Sequence, residues 1–452
     1  MSTLGFYGGA GRVTGANFLL DLEDAKILID CGMIQGGRDS LKLNSEPFAY
    51  NPAEIHTLFV THPHADHIGR IPKLVRDGFN GQIISTIPAQ ELSEVMLRDA
   101  YKVMVVESKK AKVDPFYDEG DVQKAFSLWK TVEYGENVSL PGGASAHFTD
   151  AGHILGSAIV HVERNGRTMV FTGDLGNVPQ PLMNPPEIPK DYDYLLMESV
   201  YGDRLHEGVE TRSQVLKEYI LDTQKKEGTL IIPAFSLERT QAMLLEINNF
   251  VERGEIEPIP VFLDSPLAIS VTEIYRKYSK YFKESVRKQI EGGDDIFDFE
   301  GLSFTRTVKD SAEISRTKGA KIIIAGSGMS HGGRILAHEQ HFLQDPDTTL
   351  LLVGYQAVGT LGRALLDGAK RVTIDGQKVK VRATIGMIQG YSGHADRDQL
   401  VDFVAKGVKK DSKVFVAMGE EKSSLFLVQR LRDYLNIHAA APEKGEVVEV
   451  DM

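Results

Sequence analysis

The sequence predicts an α/β fold. Three observations carry that expectation: short β-rich runs that end in polar residues, amphipathic helical patterns between them, and a composition near the globular norm. The chain has 452 residues, enough for two or three domains at roughly 150 residues each. A content of 42% hydrophobic and 25% charged residues excludes pervasive disorder. The single cysteine, Cys31, allows no intramolecular disulfide, fits a reducing cytoplasm, and leaves any metal site to Asp, Glu and the 13 histidines. The net charge of -12 argues against a generic basic nucleic-acid binder, although it averages over the surface and does not describe one cleft.

The first residues, MSTLGFYGGAGRVTGANFLL, carry no basic residue before the first apolar ones and no continuous apolar run, so they lack the layout of a signal peptide and read as the start of a strand-rich domain. Strands are expected at AKILID (25–30), IHTLFVT (55–61), TMVFTGD (168–174) and YDYLLMES (192–199), with helices at 68–78 and 89–113. The Gly/Pro-rich stretch 175–193 reads as an irregular surface segment. From about 209 helices alternate with the apolar runs TLIIPAF, IPVFLDS, KIIIAGSGM and TLLLVGYQ, which suggests a second, parallel-sheet domain. From roughly 377 the pattern returns to strand, loop and helix. No apolar run approaches the roughly 20 residues of a membrane span.

The most informative stretch is HPHADH, residues 62–67. His62 and His64 follow a strand, while Asp66 and His67 open the next helix. Three imidazoles and a carboxylate so close together disfavour one another unless a divalent cation joins them. Such ligands suit zinc, with manganese or iron as competitors. His153 in DAGHILGSA and Asp174 at the end of the run FTGD are weak signals alone, but with HPHADH they form a specific pattern.

HPHADH, AGHILGSA and FTGDLG, with Asp30 in ILIDCG, closely resemble the motifs of the metallo-β-lactamase fold. Glu198 in MESVYGDR, the runs PAFSLERTQAML, SGMSHGGRILAH and VGYQAVGTLGRAL, and His394 in GYSGHADRDQL resemble its RNA-processing branch, the β-CASP nucleases, which include ribonuclease J. The resemblance implies an αββα metallo-β-lactamase sandwich built from residues 1–207 and 377–452, with a β-CASP α/β domain inserted at 208–376, in a form like the minimal bacterial or archaeal ones.

It also implies a role for each motif. His62, His64 and His153 would hold one zinc, and Asp66, His67 and Asp174 a second, with Asp174 bridging; hydroxide activated by two metals would attack the phosphodiester. Asp30 would orient a ligand histidine or be an ordinary strand-end carboxylate. His394, helped by Glu198, would contact the scissile phosphate or protonate the leaving group. Single-stranded RNA would lie in a cleft between the domains, near Ser327, Gly328, Arg334, Gly359, Arg363 and Ser392. His331, His338 and His341 read as structural or substrate-proximal. Endonucleolytic and 5′-exonucleolytic cleavage both stay open, as does a homodimer.

One position departs from the family pattern. The family carries a strand followed by His-Gly-Glu near the C-terminus, whose histidine completes the second metal site; this chain reads VFVAMGEE at 414–421, so Met418 stands there. A thioether is a poor ligand for zinc beside carboxylates, so the second site is expected to be weak. Water filling the gap, much reduced activity, and an introduced substitution are all compatible with it. Two alternatives remain. One is another hydrolase of the fold, including a DNA-directed nuclease, although the inserted segment argues against a small-molecule substrate. The other is a non-catalytic RNA-binding or processing-complex subunit.

Overall fold

The computed structural model describes residues 1–36, 39–206, 208–357 and 359–452. Val358, at the start of the glycine-rich turn expected at 358–363, lies outside the described residues. The chain forms two compact units. One comprises Met1–Val178, Met183–Leu205 and His394–Met452, and the other Pro179–Leu182 and His206–Gly393.

The first unit contains two seven-stranded sheets. In the first, strands run in the order Val447–Glu449, Thr3–Gly8, Asn17–Asp21, Lys26–Ile29, Thr57–Phe59, Gln82–Thr86 and Trp129–Val132. In the second the order is His438–Ala440, Val408–Val416, Tyr192–Met197, Arg167–Phe171, Ala158–Arg164, Ser145–Asp150 and Val138–Ser139. Side chains alternate across each strand, so one strand serves two cores. Ile27 and Ile29 face the inter-sheet core with Phe6, Phe59, Phe148 and Phe171, whereas Leu28 packs outward with Leu58 and Ile83. Likewise Val160 and Leu196 point inward while Ile159 and Leu195 point outward. The outer faces are covered by helices, among them Ile71–Arg76 and Ile87–Ala111 on one side and Arg397–Gly407 and Glu421–Leu435 on the other. The result is the four-layer αββα order.

The long helix Ile87–Ala111 starts where Thr86 accepts a hydrogen bond from the Ala89 amide, and it ends at Lys112, whose φ of 57° is left-handed. No helix among the described residues is long and apolar enough to cross a membrane. The stretch 175–191 contains no helix or strand, but it is not simply a surface segment, because Leu175, Asn177 and Met183 are buried.

The second unit holds a six-stranded sheet in the order Leu302–Phe304, Val261–Leu263, Lys321–Ala325, Thr229–Pro233, Thr348–Val353 and Thr384–Ile388, parallel throughout. Ile231, Ile323, Leu350 and Leu352 from its strands pack with Ile335, Phe342 and Leu365. Thr384–Ile388 extends the ladder from Thr348–Val353, and the first unit resumes at His394. The strand's pairing partners decide this, and they are distant in sequence.

A buried charge cluster braces this sheet. Asp264, fully buried after strand Val261–Leu263, accepts from Arg334 Nη1 at 2.6 Å and Thr305 Oγ1 at 2.7 Å, and lies 2.6 Å from His338 Nε2. Burial opposes its charge, but these partners and Ser311 outweigh it and hold the carboxyl down at about 2. A folded pKa below the ordinary 3.8 contributes stability that is present above that value and is lost as pH falls towards about 2. Asp264→Ala is therefore expected to destabilise the protein by about 3–5 kcal/mol, since it leaves Arg334 uncompensated. Urea unfolding of parent and variant at pH 7 and pH 3 measures this, and the gap between them should narrow at the lower pH.

Candidate metal centre

The HPHADH segment begins where strand Thr57–Phe59 ends, and it turns at once into the short helix Ala65–Ile68. Backbone hydrogen bonds fix that turn to the 31–33 loop: Cys31 N donates to His67 O at 2.8 Å and Met33 N to Ala65 O at 2.9 Å. Gly32 must be glycine here, because a Cβ would lie 1.5 Å from Asp66 O. A similar close approach joins the other two ligand loops. A Cβ on Gly176 would lie 2.0 Å from Gly152 O, so the Asp174 loop rides directly on the His153 loop.

These loops converge on Asp174. His62, His64, His153 and Asp174 each offer one ligand atom, and these all lie within 4.8 Å of one another; His64 Nδ1 is 3.0 Å from His62 Nε2 and 3.3 Å from His153 Nε2. His62 Nε2 and His153 Nε2 are 3.4 and 3.7 Å from Asp174 Oδ2. The other oxygen, Oδ1, faces a different pair: it is 3.4 Å from His67 Nε2, which is 4.0 Å from Asp66 Oδ2. Asp174 therefore turns one oxygen towards His62 and His153 and the other towards His67. Burial, with the neighbouring His62 and His153, pushes His64 well below its usual range, which favours the neutral ring that a cation requires of an imidazole ligand. Burial also resists ionisation of Asp174, but His67 and His62 outweigh this and hold the carboxyl well below the usual range.

Buried polar atoms test whether a cation fits. His67 Nε2 and Asp174 Oδ1 are both buried and neither makes a hydrogen bond. Such orphaned atoms are costly unless something else satisfies them. Three imidazole nitrogens and carboxylate oxygens are the donor set of a divalent transition metal, so the residues present fit one.

Asp30 sits behind this centre, accepting from Thr61 N at 2.8 Å and Thr61 Oγ1 at 2.7 Å, and lying 2.7 Å from His67 Nδ1. His394 forms an isolated bridge with Gly176; its Nδ1 lies 3.3 Å from Glu198 Oε1 and 3.8 Å from Asp174 Oδ2. Burial opposes the charge on His394, but the carboxylates of Glu198 and Asp174 outweigh it and raise the ring to about 9. Glu198 is itself fixed, accepting from the Leu175 amide at 2.6 Å.

Met418 is buried in the inter-sheet core with a left-handed φ of 47°. Its amide donates to Gly9 O at 2.7 Å, and its sulfur packs so tightly that a Cβ on Gly9 would lie 2.5 Å from it.

The other expected substrate residues lie in the second unit. Ser327 Oγ accepts from the His331 amide at 3.1 Å, and a Cβ on Gly328 would meet the Phe235 ring at 2.7 Å. Gly359 is left-handed at φ 89°, and Ser392 is buried. The two glycine-rich loops are joined, with Gly362 N donating to Met329 O at 3.3 Å and Gln356 Nε2 to Gly328 O at 3.1 Å. Arg334 differs from the expectation of a phosphate ligand: its guanidinium is taken up by Asp264 and by the carbonyls of Thr305 and Arg306 at 2.9 Å, because a buried carboxylate requires a counter-charge. Arg363 Nε donates to both oxygens of Asp367 at 2.9 Å. His338 is a partner of Asp264 and so structural.

Sequence reasoning passed over Thr61 and Ser157. Ser157 Oγ accepts from the amides of His153 and Ile154 at 3.1 and 3.2 Å and so shapes the His153 loop. Both are small hydroxyl residues inside ligand motifs, the one available signal.

Residues 19–182 match a metallo-beta-lactamase superfamily domain, 240–365 a Beta-Casp domain, and 378–442 a Zn-dependent metallo-hydrolase RNA specificity domain. A Thermus thermophilus protein named as a ribonuclease is 36% identical over 93% of this chain and 94% of its own length. A Methanocaldococcus jannaschii protein named RNase J-like is 29% identical, with both chains covered in full. A Methanosarcina mazei protein named transcription termination factor FttA is 29% identical over 98% of this chain and 71% of its own. The fold is shared with a crystal structure of a protein of unknown function from Enterococcus faecalis, with a TM-score of 0.58, 13% identity and 99% of each chain covered. Fold, domains and ligand geometry define a metal-dependent hydrolase of the metallo-β-lactamase fold. The chain belongs to the β-CASP family of that fold.

Proposed function

We propose that the chain is a ribonuclease that hydrolyses phosphodiester bonds of single-stranded RNA in the cytoplasm at a dinuclear zinc centre. The observation that carries this reading is the division of Asp174 between two groups, with His62, His64 and His153 by one oxygen and His67, itself 4.0 Å from Asp66, by the other. A divalent metal held there supplies Lewis acidity, lowering the pKa of water and polarising phosphoryl oxygens. The residues do the rest. Asp30 orients His67 through Nδ1. Glu198 keeps His394 protonated and aimed at the centre, ready to bind the scissile phosphate or to give its proton to the leaving oxygen. Ser327, Gly328, Gly359, Arg363 and Ser392 contribute backbone and side-chain donors to RNA.

The names of the relatives support RNA as substrate, and the RNA specificity domain at 378–442 includes His394. Cleavage of labelled single-stranded RNA and DNA, with and without added zinc or manganese, tests the reading. Metal-dependent RNA cleavage abolished by Asp66→Ala is expected, and equal cleavage by parent and variant overturns it.

The second ligand set is the weaker. It has Asp66, His67 and one Asp174 oxygen, and Met418 is committed to the core. Metal titration is expected to resolve two sites of unequal affinity. Met418→His, at a left-handed φ that histidine tolerates better than most residues, is expected to tighten the weaker site and raise RNA cleavage. Unchanged titration and unchanged cleavage in that variant would remove Met418 from the account.

A further inference from the structure

The hydroxyl of Thr61 lies at the junction of the two ligand sets. Its Oγ1 is 2.7 Å from Asp30 Oδ2, 3.0 Å from His62 Nδ1 and 3.4 Å from His67 Nδ1. Thr61, Asp30, His62 and His67 are each no more than 1% exposed, so bulk water does not exchange for these contacts. A hydroxyl has one proton to donate, and a carboxylate oxygen accepts. The contact to Asp30 is the shorter, so the hydroxyl proton points to Asp30 and the oxygen lone pairs face His62. The 3.0 Å contact is then a hydrogen bond only if His62 Nδ1 carries a proton. That leaves Nε2 as the bare lone pair, aimed at Asp174 Oδ2 and lying 3.0 Å from His64 Nδ1. The same Asp30 oxygen faces His67 Nδ1 at 2.7 Å, which leaves His67 Nε2 aimed at Asp174 Oδ1.

We propose that Thr61 is a positioning residue that relays the acceptor strength of Asp30 to His62, so that one buried carboxylate fixes the ring tautomers of a ligand in each set. His67 is fixed directly and His62 through the chain Nδ1–H to Oγ1–H to Oδ2. This rests on the reading of the centre as a metal site, and it is independent of the substrate.

Cobalt(II) serves as the probe, because its paramagnetism shifts the ring N–H protons of ligand histidines clear of the rest of the proton spectrum. In the cobalt-loaded parent the His62 N–H is expected to exchange slowly with solvent. Thr61→Val keeps the shape of the side chain but removes the relay, and is expected to make that proton exchange rapidly and to weaken cobalt binding about 10- to 100-fold, while Thr61→Ser restores both. Unaltered affinity and slow exchange in Thr61→Val overturn the proposal, whereas a parent that binds no cobalt overturns the metal-site reading instead. Should Thr61→Val fail to fold, the parent still decides: a His62 N–H that exchanges as fast as that of the less buried His64 overturns the relay.

Discussion

Asp174→Ala is expected to lower RNA cleavage by about a thousandfold to ten-thousandfold and to remove bound metal. The reason is geometric. One oxygen faces His62 and His153, and the other faces His67. Metal-ion catalysis supplies several kcal/mol of transition-state stabilisation, and each 1.36 kcal/mol is tenfold in rate. The variant also leaves the imidazoles packed together without their shared carboxylate, so circular dichroism should accompany the assay. Metal analysis and cleavage are measured on the same preparation. Retention of one tightly bound metal with substantial cleavage would show that Asp174 is not shared.

His394→Ala is expected to lower kcat by about a hundredfold to ten-thousandfold while leaving metal content unchanged, as fits a proton donor outside the ligand sets. The pH profile carries the sharper test. A general acid works in its protonated form, so cleavage falls as pH rises through its pKa. Glu198 and Asp174 hold His394 up at about 9, and metal charge beside Asp174 opposes them, which puts the alkaline limb at or below that pH. His394→Ala should lose that limb. Glu198→Gln should move it to lower pH, because the ring loses its counter-charge at 3.3 Å. An alkaline limb that survives unchanged in His394→Ala assigns the proton to another group.

Much of this was legible in the chain itself. The runs at 25–30, 55–61, 168–174 and 192–199 form strands Lys26–Ile29, Thr57–Phe59, Arg167–Phe171 and Tyr192–Met197, and the helical pattern at 89–113 forms Ile87–Ala111. Local periodicity reports such elements because each must bury one face. The HPHADH cluster was equally legible, since its density of imidazoles has few uses without a cation. The stretch 175–193 was less so: a Gly/Pro-rich composition reports irregular backbone, but burial of Leu175 and Asn177 depends on what lies over them. The fate of Arg334 was invisible, because its partner Asp264 is 70 residues away.

The sequence by itself determined the fold class, the family and the residue types that gather at the centre, because motif spacing and side-chain period are properties of neighbouring residues. Only the tertiary structure decided how they are shared out. It placed Asp174 Oδ2 towards His62 and His153 and Oδ1 towards His67, put Thr61 between Asp30 and His62, and buried Met418 against Gly9. It also carried the strand Thr384–Ile388 into the second unit. Each of these depends on contacts between segments far apart in the chain, where close packing and the cost of unpaired buried polar atoms select one arrangement.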